Sequence, residues 1–100
     1  MLTAIVHIDV DVALSPEAAR ALIPEAARAI AAIDGVSEVF SVTGDHDVIA
    51  MVRVNEHEEL ATVIPGHIGK VPGVTGITTY LAFQTFSQEM LDEAFHIGLD

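Results

Sequence analysis

Three things are scarce in this sequence, and the first is cysteine. The chain has none, which excludes disulfide bonds, thiolate catalysis and zinc sites built on cysteine. Basic residues are also few, with four against fifteen acidic residues and a formal net charge of −11. The bases are spread along the chain at Arg20, Arg28, Arg53 and Lys70. Because a negative field repels phosphate backbones, we expect no direct binding to nucleic acid.

Long apolar runs are the third absence. Although 51% of the residues are hydrophobic, no stretch reaches the ~18 uninterrupted apolar residues of a membrane span. The start, MLTAIVHIDVDV, does not resemble a secretory signal, because Asp9 and Asp11 interrupt its apolar pattern. We therefore expect a cytoplasmic protein without membrane contact. The 100 residues fit one domain, and such a chain can bury roughly 60–70% of its unfolded surface.

The first half of the chain predicts a strand, a helix and a second strand. Apolar residues alternate over residues 3–12, which is typical of a strand with one buried face. Ser15, Pro16 and Glu17 provide an N-cap, a proline at the first helical position and an acid in the first turn. The helical stripe continues to Ile33, but Pro24 removes a backbone donor, so we expect a bend or a helix in two pieces.

The second half repeats this order. Asp34-Gly35 ends the first helix, and strands are predicted over residues 36–43 and 48–54, the latter nearly all apolar and therefore central. Asn55 is expected to cap a second helix, which Pro65-Gly66 should distort. A last strand over residues 75–85 and a short terminal helix over residues 86–98 complete the chain.

The order βαββαβ predicts an α+β fold of the ferredoxin-like type, with both helices on one face of a four-stranded antiparallel sheet. A faint repeat supports it, since AIAAIDGVSEVFSV and HIGKVPGVTGITTY both run from a helix end through Gly-Val into a strand. No linker divides the chain. We expect a single domain over residues 1–100, with a core of residues 1–84.

The sheet face away from the helices should also carry apolar groups. These are Ile5, Ile49, Met51, Tyr80 and Ala82. Contiguous apolar patches usually mark an interface, so we expect a twofold homodimer formed by sheet-to-sheet packing, a dimeric α/β barrel. The alternative is a monomer whose partly apolar face is covered by the terminal helix.

The turn in SVTGDHDVIAMV is the candidate site. Gly44 can take a positive φ and expose backbone N–H groups to a ligand carboxylate, and Asp47 could pair with an α-ammonium. A charge-assisted hydrogen bond of that kind contributes about 1.5–3 kcal/mol. The alternative is structural: Gly44 makes the corner, and Asp47 accepts backbone N–H groups within it.

These segments together resemble a known family. The matching features are VFSVTGDHDVIAMVRV after Gly35-Val36, the helix that follows, KVPGV at residues 70–74, and Thr79. They are similar to the effector-binding domain of the leucine-responsive and asparagine-operon regulators, the Lrp/AsnC family. The resemblance spans about residues 1–84. Full-length members begin with a helix-turn-helix domain, so the chain resembles a stand-alone effector-binding domain.

The resemblance implies a small-molecule effector, typically an amino acid, bound between dimers that assemble into a larger, octamer-like ring. It implies Gly44 and Asp47 as ligand-binding residues, with Thr79 as a lesser match. Ile77 stands where many members have a second threonine, and Asp45-His46 fills the variable middle of the turn, so the effector's identity stays open. It also implies a partnership with full-length Lrp/AsnC regulators, as an oligomerisation partner that does not itself bind DNA.

The sequence also contains features of a metal site and of an enzyme. A metal site is suggested by His7, Asp9 and Asp11 on alternate positions and by His46 between two aspartates. Zinc needs three or four converging ligands, and nothing in the sequence fixes a set of that size. We therefore expect no metal or cofactor. Small dimeric barrels with this sandwich also include monooxygenases and isomerases, in which His7 beside Tyr80 could supply an acid or base. No nucleophile–base pair accompanies His7, so we expect no enzyme.

Overall fold

The structure, a computed structural model, describes residues 1–11 and 16–88. Its strands and helices follow the predicted order. They are β1 (Leu2–Val10), α1 (Pro16–Ala31), β2 (Val36–Ser41), β3 (Val48–Val54), α2 (His57–Val63) and β4 (Val74–Leu81), with a 3-10 turn at Ile68–Lys70 before β4. The four strands form one sheet in the order β2-β3-β1-β4, and all pairs are antiparallel. This confirms the α+β, ferredoxin-like fold.

The core lies between the sheet and the helices. Alternate residues of the two central strands are buried, and Val6 pairs with Ala50 in the middle of this face. Ala26 and Ile30 of α1 and Val63 of α2 cover them. The buried strand residues are Ala4, Val6, Ile8, Val10, Val48, Ala50, Val52 and Val54. We call this side of the sheet the covered face. Complete burial of one aliphatic side chain contributes about 1.5–3 kcal/mol.

Several predicted boundaries are confirmed and others change. β3 has the predicted bounds, and α2 ends at Val63, before Pro65, whose ring would clash with the preceding turn. β1 reaches Val10 rather than residue 12, β2 ends at Ser41 rather than residue 43, and β4 spans Val74–Leu81 rather than residues 75–85. The predicted cap Ser15 and residues 89–98 of the predicted terminal helix lie outside the described residues.

The structure decides two local predictions. α1 is one helix that contains Pro24, so the alternative of a helix in two pieces is wrong. Burial of Ala26 and Ile30 after the proline holds the helix against the sheet, and this outweighs the loss of one hydrogen bond. Asn55 does not cap α2: Glu56 occupies the N-cap without a side-chain bond, and the Asn55 N–H donates to Glu59 Oε2 at 3.2 Å. Asn55 lies one residue too early to cap the helix.

The opposite side of the sheet, which we call the open face, carries the apolar groups predicted for it. Two rows of paired residues cross it: Phe40, Ile49, His7 and Thr78 form one row, and Glu38, Met51, Ile5 and Tyr80 form the other. Phe40 is 46% exposed and Tyr80 is 54% exposed, so large aromatic surfaces remain in contact with solvent. Within the described part of the chain, no helix is long and apolar enough to cross a membrane.

Candidate functional site

The candidate site begins at the turn between β2 and β3. Gly44 has a φ of +136°, a backbone conformation that side-chain-bearing residues rarely adopt. A Cβ at this position would meet none of the described atoms within 4 Å. Glycine is therefore required here for its backbone conformation and not for lack of space, and the turn presents an open surface at Gly44.

Asp47 ties this turn to the sheet through main-chain and side-chain bonds. Its N–H donates to Ile8 O at 3.1 Å, and its carbonyl accepts the Val42 N–H at 3.0 Å. Its carboxylate oxygen Oδ2 accepts the Val10 N–H at 2.8 Å, continuing the β1–β3 ladder past the last strand residue. The Asp47 carboxylate thus has a structural role, as considered in the sequence, but it accepts an N–H group of β1 and not one within the turn. An aspartate has two oxygens and about four acceptor sites, so this bond leaves capacity for a ligand.

His46 is fixed by a residue of β1. Its Nδ1–H donates to Asp9 Oδ1 at 2.9 Å, because a carboxylate can only accept. The His46 side chain is 28% exposed and that of Asp9 is 41% exposed, so the pair lies at the edge of the open face. Gly76 of β4 lies opposite Asp9, and a Cβ there would come within 3.0 Å of Asp9 Oδ2. The missing side chain at position 76 gives the Asp9 carboxylate its room.

A line of rings connects the turn to β4 across the open face. The His46 and His7 ring centroids are 4.8 Å apart and nearly perpendicular, and His7 lies 5.1 Å from Tyr80 in a similar edge-to-face geometry. The His7 Nδ1 atom is buried, and no described residue supplies a hydrogen-bond partner for it. The sequence had placed His7 beside Tyr80, and that proximity is confirmed.

The contact of His46 with Asp9 was not predicted from the sequence, where His46 was considered only as part of the variable middle of the turn and as a metal ligand. His46 and Asp9 are 37 residues apart and meet only because β1 and β3 pair in the observed register. The available signal was the alternation in β1, which places Asp9 on the face opposite the buried valines.

Thr79, the third predicted ligand-binding residue, lies apart from the turn. It pairs with Val6, so it belongs to the covered-face side of β4, where it is exposed at the edge of the sheet. Two strand spacings and about three residues along the strands separate it from Asp47, which corresponds to roughly 14 Å. One protomer therefore brings Gly44 and Asp47 together but does not add Thr79 to them.

Two further features could form a site beside the turn: a set of metal ligands and a cavity. The described residues contain no cluster of three or more histidine, aspartate or glutamate side chains placed to hold a metal ion. A cavity of about 660 Å³ lies at the other end of the sheet, between the α1–β2 connection, the end of β3 and α2. Asp34, Asn55 and Glu59 contribute to its wall. The Gly44 turn is not part of this cavity.

Comparisons with other proteins agree with the fold. The family model described as the Lrp/AsnC ligand binding domain matches residues 3–92. FL11 from Pyrococcus abyssi, a helix-turn-helix-type transcriptional regulator, is 34% identical over 53 residues, which are 53% of this chain and 34% of that regulator. The chain thus matches about a third of the length of this curated relative.

Solved structures give the same result over most of the chain. TTHA0845 from Thermus thermophilus superposes with a TM-score of 0.71 and 35% identity, over 88% of this chain and 100% of that one. The transcriptional regulator NMB0573 from Neisseria meningitidis, solved in complex with L-Met, superposes with a TM-score of 0.69 over 87% of this chain and 53% of that one. At 14% identity this second likeness concerns the fold alone.

Proposed function

Because the chain belongs to the Lrp/AsnC ligand-binding domain family, we propose that it is an amino-acid-binding and oligomerisation module of transcriptional regulation that does not itself bind DNA. The L-Met complex of a structural relative supports an amino acid as the effector class. The net charge of −11 supports the absence of direct DNA contact. The proposal includes no catalytic step, since the family is one of regulators.

A homodimer built on the open face is the first part of this proposal. Ile5, Ile49 and Met51 form its aliphatic centre, with Phe40 and Tyr80 at its margins. Burying such a patch between two copies removes apolar surface from water, and twofold symmetry makes the contact self-complementary.

The effector site is the second part. In one protomer Thr79 is roughly 14 Å from Asp47, so the three residues could share a pocket only if different protomers contribute them. That requirement agrees with a site between dimers in a larger, ring-like assembly. Gly44 would expose backbone N–H groups to the effector carboxylate, and Asp47 would pair with its α-ammonium.

The observation that carries the effector proposal is the anchoring of Asp47. Its backbone and its Oδ2 atom are held by Ile8 and Val10, so its carboxylate is positioned before any ligand arrives. Preorganisation of this kind reduces the entropy lost on binding.

A thermal-shift screen of the twenty amino acids tests the effector site. A ligand at about 100 times its dissociation constant should stabilise the fold by ~2.7 kcal/mol. Asp47→Asn keeps an oxygen that can accept the Val10 N–H but removes the charge, so it should abolish the shift of the best amino acid. Asp45→Asn, a neighbouring exposed carboxylate, is the matched control and should keep the shift.

The results separate this function from its nearest alternative. An unchanged shift in Asp47→Asn would remove Asp47 from the site. If none of the twenty amino acids stabilises the protein while light scattering still reports an oligomer, the chain acts as an oligomerisation partner of full-length regulators instead. Co-elution with such a regulator would then be the direct measurement.

A further inference from the structure

The chain beyond β4 leaves the sheet with aromatic side chains in water. Ala82 makes the last rung, donating its N–H to Thr3 O at 2.9 Å. Residues 83–86 then belong to no strand or helix. Phe83 is 107% exposed and Phe86 is 70% exposed, which is unusual for the largest apolar side chains of a folded domain. We call residues 82–86 the arm.

The arm is part of an electrically neutral segment. Residues 71–88 contain no acidic or basic side chain, although the chain as a whole has a net charge of −11. Two copies of so acidic a protein repel each other wherever their charged surfaces meet. A contact between copies is therefore least opposed where it is made by this neutral segment and by the apolar open face.

The sheet offers an unpaired strand edge at the other side. β2 and β4 are the two edge strands, and three strand spacings, roughly 14 Å, separate them within one chain. When two sheets pack face to face about a twofold axis parallel to their strands, β4 of one copy lies over β2 of the other. The end of β4 and the start of β2 lie at the same level along the strand direction, on opposite edges of the sheet. The pairings show this, since Leu81 pairs with Ala4, Ala4 with Val52, and Val52 with Val36.

We propose that the arm crosses to a second copy of this chain and lies along the outer edge of its β2, with Phe83 and Phe86 packed against that copy. The proposal rests on the sheet-to-sheet dimer proposed above and adds a reciprocal exchange of arms to it. Five extended residues span about 16 Å, enough to cross the ~10 Å between packed sheets. Main-chain bonds to an exposed strand edge are a recurring mode of peptide recognition.

Photocrosslinking between isotope-labelled and unlabelled copies tests the exchange. In the full-length protein, p-benzoylphenylalanine replaces Phe86, and unlabelled and ¹⁵N-labelled protein are mixed, denatured, refolded together and irradiated. Trypsin cuts after Arg20, Arg28, Arg53 and Lys70, so the β2–β3 hairpin falls on a different peptide from β1 and from β4 with the arm. We expect mixed-label crosslinks between the arm peptide and the hairpin peptide of residues 29–53.

Other crosslinks overturn the proposal. Products with one label only mean that the arm folds back on its own chain. Mixed-label products that join two arm peptides, or the arm and β1, mean that the copies pack in another way. A yield no higher than with the same probe at His57, an exposed residue of α2, means that the arm makes no contact.

Dimer affinity separates failure of the arm from failure of the dimer. Phe83→Ser combined with Phe86→Ser should raise the dimer dissociation constant at least about tenfold, whereas Gln84→Ser within the arm should leave it unchanged. Met51→Ser, in the central strand β3 of the open face and away from the β2 edge, tests the dimer alone. If Met51→Ser weakens association and the double arm variant does not, the dimer stands and the arm exchange is wrong. If the wild-type protein stays monomeric at all concentrations, both the sheet-to-sheet dimer and the arm exchange are wrong.

Discussion

The covered and open faces of the same sheet are both rich in apolar side chains. The two faces differ in the size of these side chains and in the polar residues that lie beside them. The covered face is built of small and β-branched residues, with Ala4, Val6 and Ala50 completely buried beneath the helices. The open face carries larger groups, such as Phe40 and Tyr80, together with histidine and aspartate. The first composition suits a closed core packed by the chain's own helices. The second resembles an interface, where aromatic and polar groups lie side by side.

The largest expected effect contrasts two isoleucines of β1. Ile8→Ala removes a completely buried side chain from the covered face and should lower the free energy of unfolding by about 2–5 kcal/mol. Ile5→Ala makes the same chemical change on the open face and should cost well under half as much in dilute protein. Urea unfolding at low concentration measures both. Equal losses would mean that the two faces do not differ in this way.

A charge on the open face should act on association rather than on folding. Ile49→Glu places a carboxylate at the centre of the proposed dimer contact, which should raise the dimer dissociation constant by a hundredfold or more, since an unpaired buried charge costs several kcal/mol. Ile49→Val is the control and should remain a dimer. Light scattering over a dilution series reports both. A dimer that tolerates Ile49→Glu would place the contact elsewhere.

The smallest expected effect concerns the polar edge of the open face. The hydrogen bond between His46 and Asp9 is partly exposed, so a double-mutant cycle of His46→Ala and Asp9→Ala should give a coupling energy of about 0.5–1.5 kcal/mol. The cycle is measured by urea unfolding of the four proteins. A coupling near zero would show that the observed contact does not hold the turn.

The same contrast explains what the sequence could predict. β3 was predicted with its observed bounds because a nearly unbroken apolar run between a turn and Asn55 allows few alternatives. The ends of β1 and β4 depend on pairing with each other, including a register shift between Asp9 and Val10, which local composition does not encode. The α1 helix was predicted, but the sequence left open whether Pro24 bends it or divides it, because packing on the covered face overrides a local propensity.

The site divides in a similar way. Gly44 was predictable because its backbone conformation is a local requirement. The contacts of Asp47 with Val10 and of His46 with Asp9 join residues 37 positions apart and follow from the sheet register. The separation of Thr79 from the turn also follows from register, since its pairing with Val6 decides its face.

Gly76 links the edge strand β4 to the β2–β3 turn through Asp9. Since even one methyl group at position 76 would push the Asp9 carboxylate by a few tenths of an ångström, a change in β4 would be transmitted to His46 without touching it. The residue type at position 76 thus affects one of the contacts that tie the β2–β3 turn to the rest of the sheet, beside the bonds made by Asp47. A protein engineer could use it to adjust the stiffness of the turn while leaving every residue of the turn itself unaltered.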